Sequence, residues 1–242
     1  LLTRLPADRL FPQAGYADAG DSVWSYPVVG VVVGLIGGVA YWFVSSLGVP
    51  PMVAGVFAFA AMVLSTGGLH EDGLADTADG FGGGADKERK LEIMRDSRIG
   101  SYGVIALVLV FALRIGAITA LAGPAAVMAA LIASAALSRG GMGLFMYWID
   151  RARNDGLSAG VGRPDMGRSA EAAALAGPIG FLVLSPGAAF TAVLGAALGR
   201  LVLGVPAIRQ LGGQTGYGVG AAGRAADCLA PAAIRLPLTP LG

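Results

Sequence analysis

Cysteine is nearly absent from this chain: Cys228 stands alone among 242 residues, which excludes an intramolecular disulfide framework and a cysteine-built metal cluster. Histidine is equally scarce, with His70 alone. Charge is in short supply, since Asp, Glu, Lys and Arg make up 14% of the residues against about 25% in ordinary globular chains. So few charged groups leave the chain short of surface that can face water. The net charge of +1 and the lack of a basic tail give no ground for a nucleic-acid partner. The chain opens Leu-Leu-Thr without methionine, so the natural start is expected further upstream, and the opening segment lacks the layout of a cleaved signal peptide.

Apolar residues are what the chain has in excess. They reach 55%, glycines number 39, and the mean hydropathy is +0.69, a composition suited to membrane helices packed through small side chains. Residues 1–22 are polar and read as an interfacial or loop segment. Trp24 to Leu47 is uncharged and long enough, at about 1.5 Å per residue, to cross a hydrocarbon core of roughly 30 Å. Trp24, Tyr26, Tyr41 and Trp42 lie toward its ends, as interfacial aromatics do. Gly30, Gly34 and Gly38 repeat at the spacing that lets two helices approach closely.

A Gly48-Val49-Pro50-Pro51 turn leads to a shorter apolar run, Met52 to Leu64, whose helix is expected to continue into the following Thr-Gly-Gly-Leu-His. Further spans are expected from Tyr102 to Leu121, Ala125 to about Trp148, about Ala170 to Leu184, and Gly187 to Val205. Beyond Pro206, the residues Arg224, Asp227 and Arg235 and three later prolines argue against a full seventh span. The predicted fold is all-α, a polytopic membrane bundle of about six crossings, read as a single membrane-embedded domain over residues 1–242. Fourteen of the seventeen Lys and Arg fall in the N-terminal segment, the 67–101 loop, the 149–169 loop and the C-terminal region. With six spans these all lie on one side, which the positive-inside rule makes the cytoplasm. Arg114, Arg139 and Arg200 are the exceptions inside predicted spans; Arg139 is the one expected to reach a buried phosphate, while Arg200 reads as a snorkelling side chain.

Thr66 to Gly103 holds half of the sixteen acidic residues and the only histidine. Asp72, Asp76 and Asp79 are spaced i, i+4, i+7, which on a helix brings them within roughly 60° of one another over about 10 Å of axis. Like charges on one stripe repel unless a cation sits among them, and Mg²⁺ carrying a substrate phosphate is the common use of so few carboxylates. The competing reading is a solvated helix start favoured by the helix dipole. Arg95 and Arg98 follow and suit the clamping of phosphate. Asp96 between them reads as their orienting partner or a ligand, His70 as a ligand, a proton-transfer group or a structural core residue, and Glu71 as off the stripe by about 100°. Gly213, Gln214 and Thr215 form a donor-rich loop suited to close backbone approach to a nucleotide, although any turn can look the same. Gly82, Gly83 and Gly84 should end the acidic helix, and Lys87 to Ser97 reads as a further helical piece.

Three stretches carry a resemblance: HEDGLADTADGF at 70–81, LEIMRDSRIGSYG at 91–103 and LGGQTG at 211–216. With LTRLP at 2–6 and SRG at 138–140 in the expected order, they resemble the cobalamin synthase family, the adenosylcobinamide-GDP ribazoletransferases. The resemblance implies a Mg²⁺-dependent, multi-pass enzyme of the bacterial inner membrane with its catalytic loops in the cytoplasm. Its implied substrates are adenosylcobinamide-GDP and α-ribazole or α-ribazole 5′-phosphate. The 3′-hydroxyl of the ribazole attacks the cobinamide phosphate and GMP leaves. On this reading Asp72, Asp76 and Asp79 hold metal, Asp76, Asp79 and His70 are catalytic candidates, and Arg95, Arg98, Arg139, Gly213, Gln214 and Thr215 bind substrate. The chain departs from the family pattern at Tyr217, where the loop is typically followed by aspartate, and in its weakly hydrophobic C-terminus. Two other readings of the acidic stripe are a phosphotransferase of the CDP-alcohol type, whose motif would need an arginine that Asp72-Gly73-Leu74-Ala75-Asp76 lacks, and a divalent-cation transporter, against which stands the lack of carboxylates in the spans.

Overall fold

The computed structural model describes residues 2–4, 20–121, 123–152 and 161–234, with side chains as far as Asp227. The interfacial reading of the N-terminal segment falls largely on residues 5–19, and the side chain of Cys228 also lies outside the described residues. After a 3₁₀ turn, Asp21–Ser25, the helices are α1 Tyr26–Ser46, α2 Pro51–Thr66, α3 Leu69–Gly83, α4 Lys87–Ile93 and α5 Ser101–Thr119. They continue as α6 Pro124–Gly140, α7 Met142–Trp148, α8 Met166–Val183, α9 Pro186–Leu211 and α10 Gly216–Ile234. Proline opens α1, α2, α6 and α9 within the first two positions, where its missing N–H would have had no helical partner anyway.

Four stretches are long and apolar enough to cross a membrane: Asp21–Ser46, Ser101–Thr119, Pro124–Trp148 and Pro186–Leu211. The pair Pro51–Thr66 and Leu69–Gly83 makes a fifth if it counts as one bent span. The chain is therefore an all-α, multi-pass membrane protein, with four or five candidate crossings where six were expected. The difference lies in α8, which forms as a helix but contains Arg168 and Glu171 and is not apolar enough over its length. Large side chains such as Val104, Val108 and Leu113 on α5 and Leu194, Leu198 and Leu201 on α9 are exposed, as lipid-facing residues are. Small ones, among them Ala54, Ala58, Ala133 and Ala135, are buried.

This inversion of size follows from packing. The glycine ladder of α1 lies on α6: a methyl group on Gly34 would come 2.5 Å from Ile132 Cα, one on Gly38 2.6 Å from Met128 Cγ, and one on Gly30 would overlap the Ala135 carbonyl oxygen. Close backbone approach maximises dispersion contacts where lipid removes the usual hydrophobic drive. Around this pair Val33, Phe59, Met62, Ile118 and Leu131 form the largest apolar cluster.

The expected continuation of α2 into the acidic helix does not occur. Gly67 and Gly68 take φ of 69° and 73°, a left-handed pair that ends α2 and starts α3 at 93° to it. Two successive residues in that region are tolerable only without a Cβ, so Thr66-Gly67-Gly68-Leu69 is a corner. α3 then ends at Gly83, as the glycine run suggested. Asp86 caps α4 by accepting from the Arg89 amide at 2.8 Å, and α10 packs back on α3 and α9.

The membrane arginines do not snorkel. Arg114, Arg139 and Arg224 are each no more than 1% exposed. Arg200 is half-buried and donates to the carbonyls of Ser138 at 2.8 Å and Ala196 at 3.0 Å. It thereby serves the C-terminal end of α6, whose last carbonyls have no helical donor; this replaces the snorkelling expected from the sequence.

Candidate active site at the corner between helices α2 and α3

A cavity of about 830 Å³ opens at this corner. Glu71, Asp72, Ala75 and Asp76 of α3 line one part of it, Thr66 to Leu69 the corner itself, Asp96, Ser97 and Ile99 a further part, and Thr3, Arg4 and Tyr217 the rest. The i, i+4 spacing of Asp72 and Asp76 keeps both on one side of the helix, so two of the three stripe carboxylates meet the cavity.

Asp79 serves elsewhere. Its side chain is 7% exposed, with Oδ2 accepting from the Gly100 amide at 2.7 Å and Oδ1 from the Gly103 amide at 2.9 Å. These amides belong to the first turn of α5, whose N-cap residue, Gly100, has no side chain to satisfy them. Asp79 therefore caps α5 from a different helix, with its charge at the positive end of the dipole. A methyl group at either Gly100 or Gly103 would overlap this carboxylate, which explains both glycines of the IGSYG stretch. Among the described residues, no three His, Cys, Asp or Glu side chains converge closely enough to hold a metal ion.

The basic candidates are dispersed. Arg98 forks onto Asp96, with Nε 3.1 Å from Oδ1 and NH2 2.7 Å from Oδ2. Hydrogen bonds from the Arg98 side chain, then from its backbone, hold the Asp96 carboxyl down at about 2. This pair borders a second cavity of about 500 Å³ that Asp79, Ser101 and Tyr102 also line and that shares Asp96 and Ile99 with the first. Arg95 is exposed and does not line either cavity. Arg139 is wholly buried, with NH1 donating to the Ala135 carbonyl at 3.2 Å.

His70 is 1% exposed, in the core beside α10, with Gly223 against its ring. Charged groups surround it: Arg224 Nε lies 3.0 Å from Glu71 Oε1, Arg224 NH1 2.8 Å from Asp227 Oδ2, and Arg114 NH2 4.0 Å from the same oxygen. Arg114 also stacks on Phe59 at 4.1 Å. Glu71 thus belongs to a buried ionic chain joining α3 to α10 while its edge meets the cavity.

The glycine-rich loop is structural in position. Gln214 and Thr215 are 1% and 2% exposed; the Gln214 amide donates to the Asp150 carbonyl at 2.8 Å and its carbonyl accepts from Ala152 at 2.8 Å. Thr215 Oγ1 accepts from the Gly218 amide at 3.0 Å and so caps α10. A Cβ at Gly213 would run into the Asp150 carbonyl. None of the three lines the large cavity, but Tyr217, two residues on, does.

The sequence reading missed Arg4 and Tyr217 as cavity residues. The signals available for them were the LTRLP stretch and the departure from aspartate at 217.

The donor set at the cavity suits a hard divalent cation. Two carboxylates one turn apart leave most of the coordination shell to water and to phosphate oxygens, the arrangement Mg²⁺ commonly adopts. The matched family model, Cobalamin-5-phosphate synthase, covers residues 1–234. A Bradyrhizobium diazoefficiens protein named adenosylcobinamide-GDP ribazoletransferase is 49% identical over 224 residues, 91% of this chain and 84% of its own. Proteins of the same name from Mesorhizobium japonicum and Ralstonia nicotianae are 45% and 42% identical, each over 90% of this chain and 83% and 84% of theirs. No solved structure matches the chain. With the likeness running through nearly its whole length, the chain belongs to the cobalamin-5-phosphate synthase family and is a transferase.

Proposed function

We propose that the chain is an adenosylcobinamide-GDP ribazoletransferase acting as one membrane-embedded domain, with the α2–α3 corner as its active site. The observation that carries this reading is the pairing of Asp72 and Asp76 on one cavity wall, in a chain so similar to relatives of that name. The 3′-hydroxyl oxygen of α-ribazole or its 5′-phosphate forms a bond to the cobinamide-bearing phosphorus. The phosphorus–oxygen bond to the guanosine phosphate breaks, and GMP departs with the electron pair. Phosphoryl transfer asks a protein chiefly to align the two oxygens and offset charge. Asp72 and Asp76 are the residues that would hold Mg²⁺, which when bound supplies positive charge to the diphosphate oxygens. Asp76, which lines the cavity, is the better candidate than Asp79, which does not, to take the hydroxyl proton. Within this reading Asp79, His70, Arg139, Gln214 and Thr215 hold the scaffold, and Arg98 acts from the neighbouring cavity.

With the bent α2–α3 pair counted as one of five crossings, the 84–100 and 149–169 loops share a side and hold nine of the seventeen Lys and Arg, which supports placing them in the cytoplasm of a bacterial inner membrane. Labelling of a cysteine placed at Ser97, in spheroplasts and in inverted vesicles, tests it. The activity test is GMP release and cobalamin formation from the two substrates in membranes, with and without Mg²⁺. Asp76→Asn should abolish turnover and leave insertion intact, and full activity of that variant would remove the pair from the chemistry. Family membership leaves the CDP-alcohol and cation-transport readings without support.

A further inference from the structure

Among the described residues, Arg4 is the basic side chain that lines the large cavity. The other guanidiniums close by are engaged from outside it: Arg224 with Glu71 and Asp227, and Arg98 with Asp96. Arg4 reaches the cavity by a route the fold keeps open. Leu2 is buried in a cluster with Val23, Tyr26 and Met142, and the Arg4 amide donates to the Ser65 carbonyl at 2.8 Å, so the segment 2–4 is pinned at two points beside the corner. Its side chain then crosses Gly67. A Cβ at that residue would overlap Arg4 Nε and lie 3.0 Å from Cδ. Gly67 therefore has two reasons to lack a side chain: its φ of 69° and the arginine lying against it.

Charge bookkeeping gives the arginine a task. Asp72 and Asp76 with one divalent cation sum to zero, which leaves a diphosphate diester with both its negative charges unmatched. A guanidinium at the same cavity offsets one of them and offers paired N–H donors to non-bridging oxygens. We propose that Arg4 is a diphosphate-binding residue of this site, held against Gly67 so that its guanidinium meets the donor's phosphates beside Asp72 and Asp76. The inference rests on the transferase reading above and adds to it the residue that recognises the anionic donor.

The test uses the full chain in nanodiscs, with equilibrium binding of adenosylcobinamide-GDP and competition by GDP, alongside turnover. Arg4→Ala should weaken donor and GDP binding roughly ten- to a hundredfold, the range for a lost charge-assisted pair, with the KM of the ribazole acceptor unchanged; Arg4→Lys should recover part of the loss. Unchanged donor affinity in Arg4→Ala overturns the proposal. So does a lower Mg²⁺ requirement with donor affinity intact, which would mark Arg4 as a counter-ion of the carboxylates. Equal loss of donor and acceptor affinity, unrelieved in Arg4→Lys, would mark a folding defect and likewise count against it. If the wild type releases no GMP and binds no donor, the transferase reading itself fails and this inference with it, an outcome separable from all of these.

Discussion

Asp79 offers the sharpest division between a structural and a chemical role for an acidic residue in this protein. Substituting alanine removes two acceptors at once and leaves the Gly100 and Gly103 amides without them, one partly and one fully buried. A hydrogen bond to a charged group contributes about 1.5–3 kcal/mol net, and a lost helix cap costs about 0.5–2 kcal/mol. The amide of Gly100 can recover some solvation, so about 3 kcal/mol is a fair sum for Asp79→Ala. In a chain of this length that corresponds to a drop of roughly 6–12 °C in Tm. Asp79→Asn keeps one acceptor and loses the charge facing the α5 dipole, so about half that effect is expected. Gly103→Ala forces the carboxylate away from the other side and should destabilise similarly, with little further loss in Asp79→Ala/Gly103→Ala because both act on one contact. The assay is thermal unfolding in detergent followed by tryptophan fluorescence, with turnover measured well below Tm. An Asp79→Ala protein with unaltered Tm and no activity would refute the capping argument and return Asp79 to the chemistry.

Breaking the buried chain between α3 and α10 should be costly in a one-sided way: Arg224→Met, which strands Glu71 and Asp227, is expected to lose about 3–5 kcal/mol, Glu71→Gln, which leaves Arg224 on Asp227, less than that, and the double variant about as much as Arg224→Met because Asp227 stays stranded. Urea or thermal unfolding of the three variants checks this. Tyr217→Asp adds a carboxylate to the cavity that Asp72 and Asp76 line and should lower the Mg²⁺ concentration needed for half-maximal turnover, read from a metal titration. For Asp96 the folded-state value is depressed to about 2 by Arg98, below the ordinary carboxylate value, so the pair's contribution is present above that ordinary value and is lost as pH falls through about 2. Carbon-13 NMR of the Asp96 carboxyl should therefore titrate near 2, and in Arg98→Ala, which keeps the amide at position 98, move upward toward the usual carboxylate range.

Much of the architecture was legible in the chain itself. Scarce charge and long apolar runs are enough to require helices in lipid, since only internal hydrogen bonding can satisfy a backbone there. Gly30, Gly34 and Gly38 announced a close helix contact by their spacing alone, and α6 supplies it. The motifs around Asp72, Asp76, Asp96 and Leu211 identified the family before any contact was visible. The span count was less legible, because α8 and the bent α2–α3 pair sit near the limit of what length and hydropathy distinguish.

What the sequence determined by itself is the set of elements and the chemistry available to them: membrane helices, a carboxylate stripe at helical spacing, a basic segment after it. The tertiary structure alone decided which of those groups meet. Helical periodicity is a local property, so it aligned Asp72, Asp76 and Asp79 equally. Their division between a cavity and the N-terminus of α5 depends on where another helix begins, and the presence of Arg4 at that cavity depends on the segment 2–4 docking at a glycine corner far along the chain. Such contacts are set by packing between distant segments, which no spacing within one segment can encode.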